Sequence, residues 1–425
     1  MSIQEVIEQA QEYMQGNEVD GWLLYDYRGL NPIFADTVGH VGHVTRPVWL
    51  WIPASGDPIL LLSFVDQSRF DHMDLDTTLF INRQDMIEKL GEIVGLSSGG
   101  AVLESVPGGD SSADLGDAIA ELRRELGTRR TPKVAMEYTP EGALPRVSNV
   151  DGGTLELVNN LGVEIVPSAD LLQYATQRWN EEQLESHLYA AEKLSVIVLE
   201  AFRYIGDSID SGVTEYDVKE FINNRFLEEG MIVTDGPAVA VNEHASDPHF
   251  DPMPENSVEI KRGDWVLIDL WTRLPGEDDM FGDITWTAYV GSDVPAKHRE
   301  VFDIVLGSRD AALAEIQKAF DEGRVLEGWQ LDKVARDYIE EAGYGEYFNH
   351  RLGHSLGREV HSNAVNLDSW ETHDTRQLIP GVAVTIEPGI YIPEFGVRSE
   401  IDVFITEDGP QVTTQMQRDV VLIEA

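Results

Sequence analysis

Apolar residues in this chain recur at three- and four-residue spacing in several long blocks, and in unbroken or alternating short runs between them. Val6, Ile7, Ala10, Tyr13 and Met14 fall on one helical face, and the run Gly21-Trp22-Leu23-Leu24-Tyr25 that follows reads as a strand. Two further apolar runs, Val48 to Ile52 and Ile59 to Leu62, flank the turn signal Ala54-Ser55-Gly56-Asp57-Pro58 and predict a hairpin. Farther on, Asn180 with Gln183 three residues later forms a capping-box signature, and Leu184, Leu188, Ala191, Leu194, Val198 and Phe202 then keep the helical period. A second helix follows Thr214, carries Val218, Phe221, Ile222 and Phe226 on one face, and stops at Gly230. The pattern places more helices at 296–320 and 329–342, and strands at 233–241, 264–271, 283–290, 381–387, 400–406 and 419–424.

A chain of 425 residues exceeds one ordinary core. The change from short apolar runs to a long helix lies between Tyr174 and Asn180, so the expected domains are 1–174 and 175–425. The first reads as α/β; the second is α+β, with helices packed on a curved antiparallel sheet. Stretches at 95–100 and 107–117, rich in Gly, Ser and Asp, read as loops, since no Gly-Lys-Ser/Thr follows them to cradle a phosphate.

Charge changes the picture most. The formal net charge of −45 argues against nucleic acid or an anionic membrane as partner. It fits a solvated acidic surface, including one adapted to high salt, where self-repulsion is screened. The absence of cysteine excludes disulfides, thiolate metal sites and a cysteine nucleophile. No run approaches the ~20 apolar residues of a spanning helix. The acidic start, Met1 to Glu8, carries no basic n-region, so cytoplasmic residence is expected.

Candidate chemistry gathers in the last third of the chain. Asp269 ends the run Val266-Leu267-Ile268, and Asp283 sits in Phe281-Gly282-Asp283-Ile284-Thr285. His354, Glu387 and Glu400 lie in or beside apolar segments between Asn349 and Asp402. An unpaired carboxylate in such a setting is costly to bury, so a cluster of them must be neutralised by protons, bases or metal. Arg398 cannot balance four carboxylates, whereas two divalent ions can. Four carboxylates and one imidazole form a hard, oxygen-rich donor set that favours Mn²⁺, with Co²⁺, Fe²⁺ or Zn²⁺ also accommodated. A dinuclear site of this kind can hold a bridging hydroxide and polarise a carbonyl, which suits amide hydrolysis. His249, His350 and His361 stand near these segments as donors to a tetrahedral intermediate. His244 and His373 have no such neighbours in sequence, and His40, His43 and Arg46 read as a polar surface loop.

Taken together, the segments Ile-Asp, Asp-Ile-Thr, His-x-x-x-His-x-x-Gly-x-x-x-His, Thr-Ile-Glu-Pro-Gly-Ile-Tyr and Val-Arg-x-Glu resemble the pita-bread metallopeptidase family, which includes methionine aminopeptidase, aminopeptidase P, prolidase and creatinase. The match covers about residues 180 to 425, and the preceding domain resembles the creatinase-type N-terminal domain in length and position. The resemblance implies that Asp269, Asp283, His354, Glu387 and Glu400 hold two metal ions and that Glu387 shuttles the proton of the nucleophilic water. It implies that His249, His350, His361 and Arg398 contact the substrate or stabilise the tetrahedral intermediate. It also implies a short peptide substrate with proline at the second position, cleaved at the Xaa-Pro bond by a dipeptidase or aminopeptidase that is a homodimer or homotetramer.

Trp286 stands where the family commonly has Arg, Arg351 where it has Gly, and Trp271 where a small residue is usual near Asp269. Those departures keep open a relative acting on a non-peptide small molecule, as creatinase does. A non-catalytic binding module on the same fold is a third reading, against which stands the complete ligand quintet. If the acidity is an adaptation to salt, the melting temperature should climb as KCl goes from about 0.1 M to 1 M, where the Debye length shrinks from about 10 to 3 Å. A midpoint that is flat or falls with salt would remove that reading.

Overall fold

The computed structural model describes residues 2–39, 42–95 and 130–424, so His40 and nearly all of the two Gly/Ser-rich stretches at 95–100 and 107–117 lie outside it. The chain divides into two compact units, Met1–Thr176 and Gln177–Ala425.

In the first unit the opening helix, Ile3–Gly16, is capped by Ser2, whose backbone N–H donates to the Glu5 carboxylate at 2.6 Å. It buries Val6, Ile7, Ala10 and Met14, the face expected from the spacing. Six strands form one sheet in the order β4-β3-β2-β1-β5-β6. They are β1 (Gly21–Tyr27), β2 (Pro47–Pro53), β3 (Ile59–Ser63), β4 (Asp76–Phe80), β5 (Lys133–Met136) and β6 (Glu164–Pro167). The β2–β3 pair is the predicted hairpin, antiparallel with Leu50 opposite Leu60. Pairs β1–β5, β5–β6 and β3–β4 run parallel. The central strands are apolar without alternation because both faces are covered: Trp22, Leu24, Leu50 and Leu62 pack into one core, and Leu23, Trp49, Trp51 and Leu61 into another.

Among the described carboxyls of this unit, Asp26, Asp66 and Glu137 are buried, and Glu137 lies deepest. Glu137, just beyond β5, is fully inaccessible, accepts the Trp22 indole N–H at 2.7 Å, and has Asn31 Nδ2 and Ser168 Oγ at 3.4 Å.

The second unit opens with the helix Glu181–Ser208, whose capping box is present as predicted: Gln183 N–H donates to Asn180 Oδ1 at 2.9 Å and Asn180 N–H to Gln183 Oε1 at 3.0 Å. With the helix Glu215–Glu228 it covers one face of a sheet ordered β16-β9-β8-β7. These strands are β7 (Ala238–Val241), β8 (Trp265–Thr272), β9 (Gly282–Val290) and β16 (Val421–Ile423), with β16 parallel to β9 and the other pairs antiparallel. Strand β7 begins only at Ala238, not at 233, because Pro237 has no N–H to give a ladder. A second sheet is ordered β10-β11-β14-β15: β10 (Ser355–Leu356), β11 (Ala383–Ile386), β14 (Ile401–Thr406) and β15 (Gly409–Val412). The hairpin β12 (Gly389–Ile392) and β13 (Phe395–Arg398) connects β11 to β14.

Two apolar cores support these sheets. Leu194, Val198 and Phe202 pack on Val266, Ile268, Ile284 and Trp286. Val305, Ile316, Leu331 and Ile339, from the helices Ala296–Asp321 and Gly328–Glu341, pack on Val384, Ile386, Val397, Ile401 and Val403. Trp286 therefore belongs to a core, and faces away from the Asp283 side of β9.

Burial pushes the Glu137 carboxyl from 4.5 up to about 7. The folded chain thus keeps a proton that the unfolded chain releases, and stability falls as pH rises through that window, by roughly 3 kcal/mol in total. Glu137→Gln should flatten the slope of unfolding free energy between pH 5 and 8. A variant that kept the wild-type slope would place the dependence elsewhere.

Candidate metal centre

Register decides which side chains meet. Across β8 and β9, Asp269 lies opposite Thr285 and Trp271 opposite Asp283, so all four share one face while Ile268, Leu270, Ile284 and Trp286 share the other. Across β11 and β14, Thr385 lies opposite Asp402, which puts Glu387 and Glu400 across from each other where the two strands diverge. His354 precedes β10 and exchanges hydrogen bonds with Thr385: its N–H donates to Thr385 Oγ1 at 3.0 Å, and its carbonyl accepts Thr385 N–H at 2.8 Å. The sheets are joined by Glu400 N–H donating to Thr285 O at 3.2 Å and Asp283 N–H donating to Asp402 Oδ2 at 3.0 Å.

The five residues predicted as ligands come together. Asp283, His354 and Glu400 each offer an atom within 4.8 Å of the others'. His354 Nε2 is 3.4 Å from Glu387 Oε1 and 3.7 Å from Asp283 Oδ2. Asp269 is bound by the Arg398 guanidinium, whose Nε donates to Thr285 Oγ1 at 2.9 Å; that hydroxyl donates to Glu400 Oε2 at 2.7 Å. Arg398, expected to contact substrate, thus spends its donors inside the protein, with Nη1 also 3.2 Å from the Tyr391 hydroxyl.

Electrostatics in this pocket run against ionisation. Burial, then the Glu400 charge, holds the Asp283 carboxyl well above its ordinary range; burial, then Glu387, does the same to Glu400. Burial also raises Asp269 and Glu387, with Arg398 opposing in both. Asp269 Oδ1 and Asp283 Oδ1 are buried with no hydrogen-bond partner. Buried acceptor atoms left without donors, in a set of oxygen ligands plus one imidazole, fit divalent cations. The imidazole fits as well. Burial, then the neighbouring His361, pushes His354 well below its usual pKa, keeping it neutral, and its Nδ1 lies 3.3 Å from Ser355 O, which leaves Nε2 as the lone-pair atom.

The other histidines surround this cluster. His350 Nδ1 is 2.7 Å from Arg351 O, so that nitrogen carries the proton and Nε2 accepts from the Tyr391 hydroxyl at 2.8 Å. Burial lowers its pKa to about 3. His361 is exposed, and its ring meets that of His354 edge-on with centroids 4.2 Å apart. His249 is exposed, its N–H donates to Asp247 Oδ1 at 3.0 Å, and its charge reaches Asp269. His244 instead binds the buried Glu215 at 2.9 Å, and His373 packs on Trp329.

Sequence reasoning missed Asp402. It is fully buried, holds the Asp283 backbone through Oδ2, and leaves Oδ1 without a partner; burial raises its pKa well above normal. Its spacing of two from Glu400 on a strand was the available signal. His187 was missed too: it is buried 3.9 Å from Asp402, with Nδ1 2.7 Å from Phe281 O. Trp271 lies on Gly236, where an added Cβ would meet the indole at 2.5 Å, and packs with Phe281 and Leu356.

Residues 189–407 match the model of metallopeptidase family M24. An uncharacterized peptidase of Staphylococcus epidermidis is 35% identical over 218 residues, covering 50% of this chain and 57% of that protein. The Xaa-Pro dipeptidase of Pyrococcus horikoshii is 39% identical over 166 residues, covering 38% of this chain and 42% of its own. The chain therefore spans only about half the length of these curated relatives. The crystal structure of a dipeptidase from Mycobacterium ulcerans superposes with a TM-score of 0.67 at 20% identity, covering 99% of this chain and 98% of that one, which shows a shared fold. The unit Gln177–Ala425 carries the pita-bread architecture, preceded by an α/β unit. Among the described residues, no helix is long and apolar enough to cross a membrane.

Cations that neutralise these carboxylates only in the folded chain stabilise it by mass action. Treatment with EDTA should lower the melting temperature by several degrees, at roughly 2–4 °C per kcal/mol for a unit of this size, and Mn²⁺ should restore it. A melting curve indifferent to both would mean that the cluster is balanced by protons alone.

Proposed function

The chain belongs to metallopeptidase family M24, and from that premise we propose that it hydrolyses Xaa-Pro peptide bonds in short peptides, as a dipeptidase or an aminopeptidase. The observation that carries this reading is the cluster of Asp283, His354 and Glu400, with Glu387 beside His354 and Asp269 joined through Arg398 and Thr285, and with carboxylate oxygens left unpartnered. Support for the Xaa-Pro preference comes from the relative in Pyrococcus horikoshii.

Those five side chains would hold two divalent ions, with Mn²⁺ favoured by the donor set. Bound there, the ions supply Lewis-acid polarisation of the scissile carbonyl and acidify water at neutral pH. The chain's own residues do the rest. Glu387 takes the proton of the attacking water and returns it to the departing amine. His361 and His249, both at the exposed rim, donate to the oxyanion as it forms. His350, neutral and tied to Tyr391, presents a fixed wall to the substrate. Arg398 holds Asp269 and Tyr391 in place, and so acts on substrate through its neighbours.

Asp283→Ala and Glu387→Ala should each cut turnover of an Xaa-Pro dipeptide by roughly a hundredfold or more while circular dichroism shows a folded chain. Mn²⁺-loaded protein, assayed at low and high salt, should cleave the Xaa-Pro substrate faster than a matched Xaa-Ala one. Full turnover in either variant would show that the cluster is not the active site, and equal rates on both substrates would remove the proline preference.

A further inference from the structure

Arg351 follows His350 in the histidine motif, and the backbone on both sides of it is fixed from the interior. Arg336, paired with the buried Asp332, donates to His350 O at 2.8 Å, and Asp332 Oδ1 accepts Leu352 N–H at 2.8 Å. Arg351 itself donates its N–H to Glu371 Oε1 at 3.1 Å. Its guanidinium is held far less firmly. Nη1 is 3.6 Å from Glu371 Oε2, beyond the 2.7–2.9 Å typical of a charge-assisted hydrogen bond, and the two side chains are 22% and 44% exposed. The next residue, Leu352, accepts Glu387 N–H through its carbonyl at 2.8 Å, and His354 lies two residues further on, so Arg351 stands at the rim of the centre, where its charge acts on both side chains.

Arg398, the other guanidinium at the centre, is committed to Asp269, Thr285 and Tyr391. A dipeptide bound for cleavage carries its free carboxylate one residue beyond the scissile bond, within about 4 Å along the chain. In a protein of net charge −45 that anion is repelled unless a local cation receives it. We propose that Arg351 is a specificity-determining residue that binds the free C-terminal carboxylate of an Xaa-Pro dipeptide, taking it in exchange for Glu371. The enzyme is then a dipeptidase. This rests on the peptidase reading above.

The test compares an Xaa-Pro dipeptide with its C-terminal amide, using Mn²⁺-loaded wild type, Arg351→Ala and Glu371→Gln, each with a melting temperature. Wild type favours the free acid. Arg351→Ala raises KM for the acid about tenfold or more, leaves KM for the amide unchanged, and alters kcat little. Glu371→Gln breaks the same ion pair but keeps the guanidinium, and does not raise KM for the acid. Parallel increases in both variants, or equal changes for acid and amide, would mean that Arg351 only braces its loop, and the proposal would fall. If wild type with metal bound cleaves neither compound, the peptidase reading itself fails. If it cleaves both and Arg351→Ala leaves the acid's KM unmoved, only the present inference fails.

Discussion

Like charge held at close range in a dry place is the constraint on which the second unit depends. Asp269, Asp283, Glu387, Glu400 and Asp402 share one interior, where burial and mutual repulsion both resist ionisation, and Arg398 is the guanidinium set among them. No apolar contact offsets such a concentration of carboxylates. It persists because the supporting structure is over-determined: helices with complete capping boxes, two apolar cores, and strands whose register is locked by a buried face. The cores stabilise the unit so that the site can be destabilised. Cations held there would offset that repulsion in the folded chain alone.

The second tier of side chains serves the same end. Thr285, Thr385 and Tyr391 relay hydrogen bonds between charged groups, so that few of the oxygens are free to rotate. Buried Asp332 and Arg336 bind the backbone of the segment bearing His350 and Arg351. Glu215 collects Val241 N–H, Val258 N–H and His244, fixing both ends of the stretch that carries His249. Hydrogen-bonded backbone beneath exposed rim residues is the arrangement that lets imidazoles and a guanidinium be aimed without being buried.

Much of this was legible in the sequence, and the legible parts share a cause. Helices of the second unit follow from long-range periodicity and from Asn180 with Gln183, which are local signals. The five candidate ligands stand out because each lies in or beside an apolar run. Strand pairing was not visible, because β10 to β15 are short and their partners are set by tertiary register, not by composition. Asp402 was overlooked for that reason: next to Glu400 it resembles one more acid in an acidic chain, and only its position opposite Thr385 brings it behind Asp283. Trp271 and Trp286 drew attention as unusual residues near the ligands. Alternation separates them, one beside Gly236 and the other in the helix-covered core.

The hydrogen bonds that join the two sheets, Asp283 N–H to Asp402 and Glu400 N–H to Thr285 O, have a consequence for how such a chain can change over generations. Because the candidate ligands come from both sheets, a single-residue insertion or deletion within β8, β9, β11 or β14 would turn the rest of that strand's side chains to the opposite face and pull the cluster apart. The connection at 274–279 carries no such requirement. Sequence length in descendants is therefore free to drift there, while the strands on either side are held to a fixed count of residues, whatever their side chains become.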